Sequence, residues 1–152
     1  MKGSVAIIFS GKKVLLFLRD NIPTIPNPNF WSLPGGCTEN GESPHQTIVR
    51  ELREEVSYVP KSLIYLGYHI DFLDLSVVNV FFSRVSGEEA KNFAHTGDEG
   101  QEIKFFSFDQ LFTIQLVPSL KLYLAKYQKF VKQLLEDDNL VPTPELIGLK
   151  QD

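Results

Sequence analysis

The sequence is poor in the residues that would suit a chain to an oxidising exterior, a membrane or a polyanion. Of its 152 residues one is a cysteine, Cys37, so the chain can close no disulfide on itself and fits a reducing compartment. The three histidines, His45, His69 and His95, have no spacing resembling a zinc motif, which argues against zinc chemistry. No apolar run approaches the roughly 18 residues of a membrane helix. The early run VAIIF is too short for a signal-peptide core and reads as a strand. Cytoplasmic localisation is the default expectation. Lys and Arg together number 15 against 19 Asp and Glu, a formal charge of −4, and no dense basic cluster marks a nucleic-acid or membrane surface. Neither nucleic acid nor membrane is an expected partner. Mild acidity leaves phosphorylated small molecules open, because a divalent cation held by carboxylates reverses the local field.

What is present suits one compact domain spanning residues 1–152, since 43% of the residues are hydrophobic and 22% charged. Ser4 to Phe9 and Val14 to Leu18 are β-branched or apolar runs flanking a turn at Ser10, Gly11 and Lys12. Asn21 to Asn29 carries Pro23, Pro26 and Pro28 and reads as an irregular loop, ahead of a short strand-like piece ending at Pro34, Gly35 and Gly36. Leu63 to Val85 reads as two or three strands, antiparallel neighbours, and Gly87 to Gly100 as a polar connection before strand character resumes at Ile103 to Phe106. Ser119 to Leu135 carries a continuous apolar face, with Lys121, Lys126, Lys129 and Lys132 toward solvent, and is expected to cover the domain's own sheet. A loose tail is expected from about residue 138.

The chemistry-bearing segment is a second helix. Ser43 suits an N-cap, Pro44 the first helical position, and Gln46 completes a capping box. Ile48, Val49, Leu52 and Val56 recur at helical spacing, and Pro60 bounds the element. At about 100° per residue, Glu54 and Glu55 fall on either side of the direction set by Glu51, on a different side from Leu52 and Val56. Like charges at this spacing repel by a few tenths of a kcal/mol per pair, so the trio makes sense beneath something positive. Mg²⁺, or Mn²⁺ in its place, is the natural partner of a few carboxylates with water and substrate phosphates. A solvated acidic face is the alternative reading of charge pattern alone.

The full segment GCTENGESPHQTIVRELREEVSY, Gly36 to Tyr58, resembles the signature of the Nudix hydrolase family (MutT-like). Gly36, Glu42, Arg50, Glu51, Leu52, Glu54 and Glu55 match its positions in order, and Leu33 to Gly36 match the run often preceding it. Ser57 stands where the signature has its closing glycine, so helix termination there is expected to carry strain if φ is positive. The resemblance implies an α+β fold, a Nudix-like α/β/α sandwich with a mixed, curved central sheet between helices. It implies Glu51, Glu54 and Glu55 as magnesium ligands, with the Gly36 carbonyl contributing, and Arg50 with Glu42 as a supporting ion pair. It also implies a further carboxylate outside the segment: Glu99 is the first candidate and Glu102 the alternative, and either that residue or Glu51 would help deprotonate water.

The resemblance further implies Mg-dependent hydrolysis of a phosphoanhydride bond in a nucleoside diphosphate-linked small molecule, by an enzyme that in this family often forms a homodimer. No proline or tyrosine of the kinds associated with the ADP-ribose and dinucleoside-polyphosphate subclasses lies near Leu73 to Leu75. That favours a canonical or oxidised nucleoside triphosphate and leaves nucleotide sugars, an ADP-ribose-type pyrophosphatase or an inactive nucleotide-binding module as alternatives. Phe30, Trp31, Tyr68, Phe72 and Phe82 are candidates for stacking on a base and Asn79 for reading its edge, with core packing the default for most. Arg19 and Asp20 are candidates for the entrance.

Overall fold

Alternation along three adjacent strands divides the interior into two cores, one on each face of a single sheet. In the computed structural model, which describes residues 1–151, strand β1 (Lys2–Ser10) lies between β2 (Lys13–Leu18) and β6 (Val77–Val85). Ala6 and Ile8 of β1, Leu15 of β2 and Phe81 and Val85 of β6 face one way. Phe9, Val14, Leu16, Val80 and Phe82 face the other. This is the period of two expected of strands buried on both faces.

The remaining strands are β3 (Trp31–Ser32), β4 (Gly35–Cys37), β5 (Ile64–Ile70) and β7 (Glu102–Ser107). The main path runs β3, β2, β1, β6, β5, with β4 on β1 and β7 on β2. Only β1 and β6 pair in parallel; the other pairs are antiparallel. One edge of β1 is shared: Gly3–Val5 pair with β4, whereas Phe9 and Ser10 pair with β2. The glycines at which the sequence ends a strand-like piece therefore belong to a further strand, held against β1 by pairing that local sequence does not reveal.

Helix α1 (Pro44–Val56) covers one face through Ile48, Leu52 and Val56. Its capping box forms as expected: the Ser43 hydroxyl accepts from the Gln46 amide at 3.1 Å and the Gln46 side chain accepts from the Ser43 amide at 2.9 Å. Helix α3 (Pro118–Glu136) covers the other face through Leu124 and Leu135 and breaks helical geometry at Tyr127. Its four lysines lie toward solvent. The connection after β6 begins with a short helix, α2 (Gly87–Ala90), capped by Ser86, where the polar sequence reads as loop. His69 to Leu75 yields only the end of β5 and then a turn, with Asp71 accepting from the amides of Leu73 and Asp74.

The tail packs rather than loosens. Ile147 and Leu149 are 2% and 5% exposed, the Tyr123 hydroxyl donates to the Ile147 carbonyl, and Tyr68 and Lys150 exchange backbone hydrogen bonds of 2.9 and 2.8 Å. β5 is an edge strand, and its unpaired amide and carbonyl groups recruit the tail as an extra bridge. No helix among the described residues is long and apolar enough to cross a membrane.

Candidate active site

The site is assembled where α1 lies against the two glycines that open strand β4. Glu55 is 3% exposed, and its Oε1 accepts from the Gly35 amide at 2.7 Å. Gly36 lies so close to Glu51 that a Cβ there would stand 2.5 Å from Oε1. Gly35 has a φ of 144°, and a Cβ on it would stand 2.1 Å from the Ser4 carbonyl oxygen. The backbone of β1 thus requires glycine at Gly35, whereas at Gly36 a side chain would displace the Glu51 carboxylate.

One oxygen from each of Glu51, Glu55 and Glu99 lies within 4.8 Å of the others. That is slightly wider than the roughly 4.2 Å separating opposite ligands of an ion with oxygens at about 2.1 Å. Glu99 arrives from the loop before β7, across more than 40 residues of sequence. Glu102 heads β7 opposite Leu18 and contributes no oxygen to the cluster. Glu54 also lies outside this cluster. Successive helical positions diverge by about 100°, so Glu51 and Glu55 turn inward with Thr47 while Glu54 stays at the surface beside Arg50.

Arg50 is the cation of the assembly. Its Nε and Nη2 donate to both oxygens of Glu42 at 2.8 and 3.0 Å, a forked pair whose planar geometry fixes both side chains. Nη1 donates to Glu51 at 2.8 Å and to Glu54 at 3.3 Å, and Nη2 also reaches the Cys37 carbonyl at 3.0 Å. Arg50 and the Glu39 amide hold Glu42 down at a pKa of about 2. Burial pushes Glu55 up from an ordinary 4.5 to about 9, opposed by the Gly35 amide and reinforced by the charges of Glu51 and Glu99. Glu51 and Glu99 are raised too, each first by desolvation; Arg50 offsets part of the rise at Glu51, and Glu54 and Asp20 add to it at Glu99. Two buried acids and one exposed acid, all raised by desolvation and by neighbouring carboxylates and offering only oxygen donors, form a set suited to a hard divalent cation.

A cleft of about 420 Å³ opens on the α3 side of β4, lined among others by Gly35, Gly36, Arg19, Asn27, His69 and Asp71. The two glycines therefore border both the carboxylates and the cleft. Arg19, expected at the entrance, is in the wall. The six residues considered for base recognition are not in its lining: Trp31 packs edge-on to Phe106, Phe82 edge-on to Phe9, and Asn79 bonds Tyr65 and the Gly3 carbonyl. His69, Asp71, Asp74 and Ser76 do line it, and nothing in the local pattern of that turn distinguishes them from surface residues.

Residues 2–128 match the family model described as the NUDIX domain. The chain is 34% identical over 109 residues to the ADP-ribose pyrophosphatase of Methanocaldococcus jannaschii, the match covering 69% of this chain and 60% of that protein. It is 24% identical over 146 residues to a Bacillus subtilis protein provisionally named an 8-oxo-dGTP diphosphatase, covering 94% and 91% of the two chains. Among solved structures, the NUDIX domain of Shewanella oneidensis NrtR, crystallised with ADP ribose, superposes with a TM-score of 0.64 at 23% identity, over 86% of this chain and 88% of that one. That likeness is one of fold.

Proposed function

Because this chain belongs to the Nudix family, whose hydrolases generally work with a divalent metal, we propose that it hydrolyses a phosphoanhydride bond in a nucleoside diphosphate-linked small molecule with Mg²⁺, or Mn²⁺, as cofactor. The observation that carries this reading is the convergence of Glu51, Glu55 and Glu99 beside the glycine strand that also lines the cleft.

The residues present fit such an ion. Glu51, Glu55 and Glu99 would hold it, with Glu54 and the Gly36 carbonyl close enough in the chain to contribute; when bound it supplies neutralisation of phosphate charge and activation of water. Arg50 and Glu42 orient Glu51 and tie the loop before α1 to the helix, and take no direct part in bond breaking. Gly35 and Gly36 border the cleft and, lacking side chains, let β1 and the Glu51 carboxylate close up behind it. Arg19, which also raises no barrier to an anion, offers positive charge from the cleft wall. A carboxylate of the cluster accepts the proton of the attacking water, Glu51 and Glu99 being the two candidates for that role.

A nucleoside triphosphate, canonical or oxidised, is the first substrate reading. The ADP-ribose class is the second, favoured by the 34% identity to a protein of that name. The test is product release from dGTP, 8-oxo-dGTP, ADP-ribose and a nucleotide sugar, with Mg²⁺, with Mn²⁺ and with chelator. Metal-dependent release of a mononucleotide from at least one, lost by about 10³-fold or more in Glu55→Gln, is expected. Turnover indifferent to chelator and to Glu55→Gln would remove the proposal.

A further inference from the structure

We infer that His95 is a positioning residue for the Glu99 carboxylate, acting through the backbone of the loop that carries it; the inference rests on the metal-dependent reading above.

The loop of residues 94–101 is pinned at both ends. At its start the Ala94 amide donates to the Val56 carbonyl at 3.0 Å, and the Thr96 hydroxyl donates to the Glu54 carbonyl at 2.9 Å. These bonds satisfy carbonyls that the end of α1 leaves without helical partners. At its finish the Gln101 amide donates to the Leu18 carbonyl at 2.9 Å, and the Gln101 side chain donates to the Arg19 carbonyl and to Asn29 at 2.8 and 2.9 Å. Between these anchors, besides His95, the Asp98 amide donates to the Thr96 hydroxyl at 3.2 Å. Gly97, Asp98 and Glu99 are exposed, and Gly97, at φ 88° with open space where a Cβ would stand, gives the segment a wide range of backbone states, whereas Gly100, at φ 75°, lies close against Phe17 and the Leu18 carbonyl.

Within the span, the imidazole of His95 closes the loop. Its Nε2 lies 3.0 Å from the Glu99 carbonyl oxygen and 2.9 Å from that of Gly100. Both carbonyls can only accept, so Nε2 carries the hydrogen. The tether has work to do because Glu99 is drawn up to two other carboxylates, and Glu54 and Asp20 repel it further. Without a hold on its backbone, a negatively charged side chain on a glycine-flanked loop would move away from them into water. His95 belongs to neither hydrophobic cluster, so its removal should loosen this loop and leave the fold.

The experiment uses the full chain, stripped of metal, as wild type, His95→Ala and His95→Gln, each also in a Glu99→Gln background. Mn²⁺ alone is titrated in, free Mn²⁺ is followed by electron paramagnetic resonance, and amide hydrogen exchange is measured over residues 97–101. Glutamine places an N–H at about the reach of Nε2. His95→Ala is expected to weaken Mn²⁺ binding about tenfold and to speed loop exchange, with exchange in the two cores unchanged. His95→Gln should restore both to within about twofold. In the Glu99→Gln background His95→Ala should weaken binding no further, as expected of two residues acting as one unit. An equal loss in both backgrounds, or unchanged Mn²⁺ affinity despite faster loop exchange, overturns the role given to His95 and leaves the metal reading standing. Failure of the wild-type protein to take up Mn²⁺ overturns the metal reading and this role with it.

Discussion

Replacing Ser57 by glycine removes a Cβ from a backbone that glycine adopts more readily than serine. Ser57 ends α1 at φ 62° and ψ 9°, the left-handed region in which an L side chain crowds the following carbonyl at a cost of about 1–2 kcal/mol. Its side chain is exposed and makes no hydrogen bond among the described residues, so substitution forfeits no contact. Against the relief stands the freer unfolded chain that glycine brings, about 0.5–1 kcal/mol. At the midpoints of the two ranges the balance is a stabilisation of about 0.75 kcal/mol. For a chain of this length that raises Tm by about 1–4 °C. Thermal melting and urea unfolding of wild type, Ser57→Gly and Ser57→Ala would measure it. Alanine keeps the Cβ and should stay within about 0.5 kcal/mol of wild type. A glycine variant no more stable than wild type, at an unchanged urea m-value, would refute the strain argument. Catalysis should not change, since Ser57 touches no carboxylate of the site.

The metal-free protein should lose stability as pH rises. Glu55 is raised from 4.5 to about 9 in the folded state, so that state binds the extra proton between those values; the contribution is full below about pH 4.5 and gone above about 9. Chemical denaturation from pH 5 to 8.5 should show a fall of a few kcal/mol at most, flattened in Glu55→Gln; a slope that survives this substitution intact would count against burial as the cause. The two glycines of β4 should respond differently. Gly35→Ala meets backbone and should fail to give folded soluble protein, whereas Gly36→Ala meets only the movable Glu51 carboxylate and should fold while binding Mn²⁺ at least tenfold more weakly; similar behaviour of the two variants in circular dichroism and Mn²⁺ titration would contradict this. Arg50→Met leaves Glu42, Glu51 and Glu54 without their shared cation and should lower the urea midpoint. Arg50→Lys should recover only part of that, because an ammonium cannot make the fork to Glu42; full recovery would show that charge alone suffices.

Short-range logic in the chain is legible without a structure. The capping box at Ser43 and Gln46, the end of α1 before Pro60, the alternation of β1 and β2 and the amphipathic α3 each depend on residues a few positions apart. The spacing from Gly36 to Glu55 likewise carries Arg50, Glu42 and the inward carboxylates, because an α-helix converts sequence interval directly into angle. Even the defect at Ser57 is visible as a residue out of place.

Other features depend on who meets whom. Glu54 and Glu55 are neighbours in sequence, yet only the position of β4 decides that Glu55 is sunk beneath the Gly35 amide while Glu54 remains beside Arg50 at the surface. Sequence ranks Glu99 ahead of Glu102, but only the chain's return over α1 brings Glu99 to Glu51 and Glu55 and leaves Glu102 at the head of β7. The tail reads as loose because it carries Pro142, Pro144 and Gly148, and its end packs because β5 leaves an open edge for it. Residue order alone thus determined the helix, its charges and the spacing of the carboxylates. Tertiary structure alone decided which of those charges lost their water, since desolvation depends on neighbours brought together from distant parts of the chain.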